Sequence, residues 1–169
     1  FSSSGMAERA AESNTKRNAS FADKLKKDPA HFGKAKVVEV DAKAPNLGPA
    51  DSADVVLTFR NVHNWAGNNM VAAMFKGMFA VLKPGGVLGV VDHRADKSHD
   101  FKKAVDMGYL PEAWVIAEAE KAGFKLDSKS DVNNNPKDTK NYAKGVWTLP
   151  PNFIERDKEK LIANGTMDN

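Results

Sequence analysis

Cysteine is absent from this chain, and its absence excludes several kinds of chemistry together. Without a thiol there can be no disulfide bond, no thiolate metal ligand and no cysteine nucleophile. Long apolar runs are missing as well, since runs such as residues 87–91 fall far short of the roughly 20 residues that span a bilayer. No charged segment followed by an apolar one opens the sequence, so no export signal is visible. These absences predict no membrane segment and leave the compartment open.

A broad excess of positive charge is also lacking. The 169 residues carry a formal net charge of +3. All of it lies in residues 1–40, where eight Lys and Arg residues face five Asp and Glu residues, while the rest has 17 of each sign. A nucleic-acid interface is therefore not expected. A hydrophobic fraction of 41% and the chain length predict a single globular domain over residues 1–169.

The apolar pattern in the middle of the chain predicts a strand, a helix and a second strand. Residues 53–59 (ADVVLTF) are nearly continuously apolar, which is typical of a central strand buried on both faces of a parallel sheet. Residues 70–82 place Met, Val, Phe and Leu at three- and four-residue steps, which predicts a helix against that sheet. Residues 83–86 (KPGG) should end this helix with a turn, and residues 87–91 should form the next strand.

Weaker patterns predict the other elements. Helical segments are expected at residues 6–25, 111–122 and 153–163, and strands at residues 36–41 (KVVEVD) and 124–130. Pro111 and Glu112 suit the start of the second of these helices, and Gly123 suits the residue after its end. Alternating strands and helices predict an α/β fold with a mainly parallel sheet, in which ligands bind at the carboxyl ends of the strands.

Four segments, in this order, resemble the later motifs of class I S-adenosylmethionine-dependent methyltransferases: VVEVDA, DVVLTFRNVHNW, LKPGG leading into GVLGVVDHR, and EKAGF. LKPGG is the most specific of them. Three longer stretches, VVDHRA, AEAEKAGFKLDSKSDVNNNPKDT and YAKGVWTLPP, are similar to a bacterial family of predicted methyltransferases of unknown substrate. The resemblance covers essentially the whole chain and implies a Rossmann-like methyltransferase fold with helices on both faces of the sheet.

The sequence also departs from that family. Its members carry an upstream strand that ends in a glycine-rich turn around the methionine part of the cofactor, then a strand that ends in an acid, and neither is found here. A last strand is expected just after Asn169. We therefore expect an incomplete domain, active only within a longer parent protein. The unpaired strand edges of such a sheet also predict self-association.

The resemblance implies S-adenosylmethionine as the cofactor and assigns residues to it. Asp41, which closes a predicted strand, would accept a hydrogen bond from the adenine amino group, beside Ala42. Asp41 could equally cap the loop that follows. Phe59, Arg60 and Asn61 would lie beside the sulfonium and the transferred methyl group.

His63 is the candidate catalytic residue. An unperturbed imidazole has a pKa of about 6.5, so it can take a proton from a nucleophile at neutral pH. A structurally bonded histidine is the alternative, and methyl transfer can depend on positioning without any base.

Three further residues are candidates for contact with the substrate. Trp65 could line an apolar or cation-accepting pocket, or simply pack on the following helix. His93 and Arg94 follow Asp92 at the end of a predicted strand, where they could orient a substrate or form a local ion pair. The spacing of His63, Asp92 and His93 matches no standard ligand pattern, so no metal site is predicted.

Two functions follow from these expectations. The first is methyl transfer from S-adenosylmethionine to a small molecule or a protein side chain. The second is a non-catalytic Rossmann-like binding module that has lost the cofactor loop. A nicotinamide-dependent enzyme is disfavoured, because no G-x-G-x-x-G follows a predicted strand.

Overall fold

The computed structural model describes residues 3–41 and 44–148, with side chains from residue 15 onward in those ranges. The chain divides into two compact units, Phe1–Val40 and Asp41–Asn169. Ala42 and the helix predicted at residues 153–163 lie outside the described residues. Among the described helices, none is both long enough and apolar enough to cross a membrane.

The first unit is helical. Its helix α1, Ser3–Lys27, confirms the helical segment predicted at residues 6–25 and extends beyond it at both ends. Lysines 24, 26 and 27 lie in its last turn, where positive charge is favourable to the helix dipole. The short helix α2, Pro29–Phe32, follows directly after α1. Asp28 caps it by accepting a hydrogen bond from the His31 backbone N–H at 3.3 Å.

The strand predicted at residues 36–41 is wrong. These residues have no regular secondary structure, and their three valines, Val37, Val38 and Val40, are 37%, 57% and 38% exposed. A β-branched run fits a strand only when a neighbouring strand pairs with it, and no such neighbour occurs among the described residues.

The second unit is built on two parallel strands. Strand β1, Ala53–Phe59, has the predicted bounds, and strand β2, Leu82–Val91, contains the predicted residues 87–91. Helices α3, Val62–Gly67, and α4, Val71–Val81, connect them. The strand, helix and strand arrangement is therefore α/β, with two strands in the described residues, and α3 is a helix that the apolar pattern did not predict.

The main core lies between α4 and one face of this sheet. Helix α4 buries five apolar side chains, of which Val71, Met74, Phe75 and Met78 lie on the predicted stripe and Val81 does not. Val62 and Leu110 join four of them in one cluster, and Val56, Leu88 and Val90 pack against it from the sheet. Each fully buried side chain of this size stabilises the fold by roughly 1.5–3 kcal/mol, so this cluster holds the second unit together.

The KPGG segment does not form the predicted turn between α4 and β2. Strand β2 begins at Leu82, directly after the helix, and pairs there with Ala53. The next pair is Val55 with Val87, so two steps along β1 match five along β2 and the extra residues bulge out of the strand. Glycine is required in this bulge because Gly85 has φ of +81° and Gly86 lies against the Lys83 carbonyl oxygen.

The other face of the sheet is open, so β1 is not buried on both faces as predicted. Val55, Leu57 and Phe59 of β1 are 55%, 61% and 57% exposed, and Val87 of β2 is 58% exposed. Alternate side chains of a strand point to opposite faces, and the described helices cover only the face that carries Val56 and Leu88. Helices on both faces are therefore not seen in the described part of the chain.

The remaining elements surround the carboxyl end of β2. Helix α5, Phe101–Asp106, was not predicted, whereas α6, Glu112–Lys121, begins after Pro111 and ends before Gly123 (φ +110°), as predicted. The strand predicted at residues 124–130 is wrong, because this segment has no regular structure. Its alternating charged residues point to solvent, and no strand among the described residues pairs with it. A 3₁₀ turn, Gly145–Thr148, follows.

Candidate functional site

The two strands end at the same edge of the sheet. Phe59 pairs with Val91, and the Arg60 N–H extends this pairing with a hydrogen bond to the Val91 carbonyl at 2.7 Å. Arg60 has φ of +56°, a left-handed conformation that is uncommon for a residue with a side chain. This conformation turns the chain out of the sheet and into α3. The first residues of α3 therefore lie beside Asp92, which directly follows β2.

Asp92 organises this edge. Its carboxylate accepts a hydrogen bond from His63 Nδ1 at 2.7 Å, a second from the His63 backbone N–H at 3.1 Å and a third from the His93 backbone N–H at 2.8 Å. The side chains of His63 and Asp92 are only 5% and 6% exposed. Asn61, which precedes α3, makes no side-chain capping bond, so Asp92 supplies an acceptor that this helix start otherwise lacks. Asp92 thus fixes both the helix and the imidazole ring.

Aromatic rings surround the two histidines. The ring of His93, which is 3% exposed, lies 5.6 Å from the ring of His63, measured between centroids. Tyr109 packs edge-on against His93 at 6.3 Å, and Trp147 of the 3₁₀ turn packs edge-on against His63 at 6.1 Å. One nitrogen or carboxylate oxygen from each of His63, Asp92 and His93 lies within 4.8 Å of the others. We call these three residues the His–Asp–His cluster.

Arg94 forms ion pairs with two carboxylates of the described residues, which is the local arrangement that the sequence left open. Its guanidinium contacts Glu112 Oε2 at 3.2 Å and Asp131 Oδ1 at 3.0 Å. Lys129 Nζ bonds the other oxygen of Glu112 at 2.9 Å. The Lys129 hydrogen bond, with a further contribution from Arg94, holds the pKa of Glu112 below its ordinary value. A substrate anion at Arg94 would therefore compete with two carboxylates.

A cavity of about 970 Å³ opens beside the cluster, between β2, α6 and residues 123–133. Its walls are largely apolar and include Val91, Val115 and Ile116. Asp92, His93 and Arg94 also line it. The volume is at the upper end of what small-molecule sites occupy, roughly 300–1,000 Å³. Two of the predicted substrate residues therefore border a space large enough for a ligand.

The predicted cofactor residues are not brought to this cavity. Phe59, Arg60 and Asn61 are absent from the described residues that line it. Phe59 is instead exposed on the open face of the sheet, and Asn61 precedes α3. Asp41 is exposed and closes no strand.

Trp65 is half-buried and packs against the main core cluster, which is the structural role that the sequence offered as an alternative to lining a pocket.

Three features of the site were missed in the sequence. Asp92 appeared only as a neighbour of His93 and in a metal-ligand group that was rejected, whereas it is the hydrogen-bond partner of His63. Its position directly after an apolar strand, parallel to the strand that precedes His63, was the available signal. Tyr109 and Trp147 gave no comparable signal, because they reach the histidines through loops and a 3₁₀ turn far along the chain.

Comparison of the chain with protein-family models, with curated proteins and with solved structures finds no match.

Proposed function

We propose that the protein transfers a methyl group from S-adenosylmethionine to a small-molecule acceptor, within a Rossmann-like sheet of which β1 and β2 are neighbouring strands. The observation that carries this proposal is the collection of His63, Asp92 and His93 at the carboxyl edge of two parallel strands. In open α/β sheets, ligands bind outside that edge. The motif resemblance, from VVEVDA to EKAGF, supports the choice of cofactor.

The proposed reaction is a direct displacement. A nucleophile of the acceptor attacks the methyl carbon in line, the bond from carbon to sulfur breaks, and S-adenosylhomocysteine leaves. His63, oriented by Asp92, is the residue proposed to take the acceptor's proton. Phe59, Arg60 and Asn61, with Asp41 and Ala42, are the residues proposed to contact the cofactor. Most of the rate acceleration would come from holding the two reactants in line.

The cavity supports a small molecule over a protein side chain as the acceptor. It is enclosed on several sides by β2, α6 and residues 123–133, and its walls are mainly apolar. A folded protein could offer only a protruding residue to such a space. An apolar acceptor would be buried against Val115 and Ile116, beside the His–Asp–His cluster, of which Asp92 and His93 line the cavity.

Calorimetric titration of S-adenosylmethionine and S-adenosylhomocysteine tests this proposal. We would titrate both into the 169-residue chain and into a version extended upstream of Phe1, with adenosine triphosphate as a control ligand. We expect the extended version to bind both cofactor forms and not the control. If neither version bound the two cofactor forms, methyl transfer would be contradicted.

A second candidate is the non-catalytic binding module, and the open sheet face favours it. Val55, Leu57 and Phe59 present apolar side chains to solvent on one strand, which is typical of a surface that contacts another chain. In that case neither version of the protein would bind S-adenosylmethionine.

A further inference from the structure

We propose that the His–Asp–His cluster binds a divalent transition-metal ion of the zinc type. Two imidazoles and a carboxylate offer donor atoms that all lie within 4.8 Å of one another. The three side chains come from two places in the chain, the start of α3 and the end of β2, which the parallel pairing of β1 and β2 holds together. This inference does not rest on methyl transfer, and it replaces the role proposed for His63 there, because an imidazole bound to an ion through Nδ1 cannot also take the acceptor's proton.

The distances fit an ion after small side-chain rotations. Zinc bonds nitrogen at about 2.0–2.1 Å and carboxylate oxygen at about 2.0–2.2 Å, which places tetrahedral donors roughly 3.4 Å apart. His63 Nδ1 and Asp92 Oδ1 are now 2.7 Å apart because they share a hydrogen bond. An ion in place of that hydrogen would spread this pair by less than about 1 Å. It would draw the His93 nitrogen, which lies within 4.8 Å of the other two donor atoms, inward by at most about 1.4 Å.

The donor set selects the type of metal. Two nitrogens and one oxygen suit zinc, cobalt, iron or nickel, whereas magnesium and calcium prefer oxygen ligands throughout. Three protein ligands leave one position of a tetrahedral ion for water or another ligand. The cavity lined by Asp92 and His93 provides the route by which the ion and that ligand would arrive.

The surroundings of the cluster distinguish it from an ordinary surface pair. Asp28 and His31 form a similar contact at 2.8 Å, but their side chains are 46% and 76% exposed, and they belong to no described group of three possible ligands. His63 and Asp92 are nearly buried, with the rings of His93 and Trp147 beside His63. Water competes far less for a metal ion in the buried cluster.

The test is titration of cobalt(II) and zinc(II) into the 169-residue chain, without S-adenosylmethionine. Visible absorption reports tetrahedral cobalt, and calorimetry reports zinc affinity and stoichiometry. We expect one ion per chain, binding weakened about 10-fold or more in His93→Gln, and unchanged binding in His31→Gln, which removes a histidine from the exposed pair. Equal weakening in both variants, or no binding by the wild-type chain, would overturn the proposal.

A readout on the wild-type chain covers the case in which His93→Gln fails to fold. The nuclear magnetic resonance signals of the histidine side chains should shift on zinc addition for His63 and His93, and stay in place for His31. A shift confined to His31 or His99 would refute the site. Failure of S-adenosylmethionine to bind would sink the methyl-transfer proposal alone and would leave these expectations unchanged.

Discussion

At the scale of single residues, Asp92 stabilises both the start of α3 and the position of the His63 ring. Its carboxylate accepts three hydrogen bonds while 6% exposed. An asparagine amide in its place keeps the shape, but its NH₂ group would face N–H groups that now donate to the carboxylate. We therefore expect Asp92→Asn to lower the free energy of unfolding of the second unit by about 2–3 kcal/mol, since buried groups left unpaired are costly. Urea unfolding with a metal chelator present measures this change.

Tryptophan fluorescence suits this measurement, because Trp65, Trp114 and Trp147 are the three tryptophans of the chain and all lie in the second unit. Asp28→Asn is the matched control. It alters the exposed contact to His31 in the first unit and should leave the fluorescence transition in place. If the two substitutions moved that transition by the same amount, Asp92 would not have the organising role described here.

At the scale of elements, the sequence predicted those segments whose pattern is local. Strand β1 followed from a nearly continuous apolar run, the stripe of α4 from apolar periodicity, and α6 from Pro111 and Gly123. Residues 36–41 and 124–130 were predicted as strands from composition, but a strand exists only through its pairing, which a local pattern does not contain.

The two unpredicted helices differ in what the sequence could have revealed. Helix α5 has a local signal, since Asp100 precedes it and accepts a hydrogen bond from the Lys103 N–H at 2.9 Å. Helix α3 is preceded by Asn61, a residue type favoured at a helix start, but the Asn61 side chain makes no capping bond. The start of α3 is capped by Asp92, 29 residues after His63, and that contact arises only once β1 and β2 have paired. The arrangement of the candidate site was unpredictable for the same reason.

The bulge in β2 gives a second prediction. A Cβ at position 86 would lie 2.9 Å from the Lys83 carbonyl oxygen and 3.1 Å from that of Asp54, neither of which can move without disturbing the strand pair. Gly86→Ala should therefore destabilise the second unit by about 1–3 kcal/mol. In Gly89→Ala the close atom is the tip of Leu57, a side chain that is 61% exposed and free to rotate.

Gly89→Ala is thus the control on the same strand, and its cost should be under about 1 kcal/mol. Thermal unfolding of both variants, followed by tryptophan fluorescence, makes the comparison. A larger loss in Gly89→Ala than in Gly86→Ala would show that the bulge does not depend on the close backbone approach at Gly86.

At the scale of the whole molecule, the open face of the sheet is the feature with the clearest consequence. Val55, Leu57 and Phe59 alternate along β1 and are each more than half exposed, beside Val87 of β2. In the part of the chain that the structure describes, β1 pairs with β2 alone, and a strand edge of this kind beside an apolar face is a template for pairing with another chain. A second copy of the chain offers the same edge and the same face. We therefore expect the 169-residue chain to self-associate as its concentration rises.

Sedimentation velocity over a range of protein concentrations measures this association. Leu57→Lys places a solvated charge in the middle of the face and should shift the chain toward the monomer, because two copies would have to bury or approach like charges. Val132→Lys adds the same charge at a side chain that is 85% exposed and lies outside the sheet, so it should associate as the wild type does. If Val132→Lys shifted the chain toward the monomer as much as Leu57→Lys did, net charge would explain the result and the sheet face would not be the contact. A wild-type chain that stays monomeric at every concentration would contradict the prediction itself, and the apolar side chains of β1 would then have to be tolerated in water.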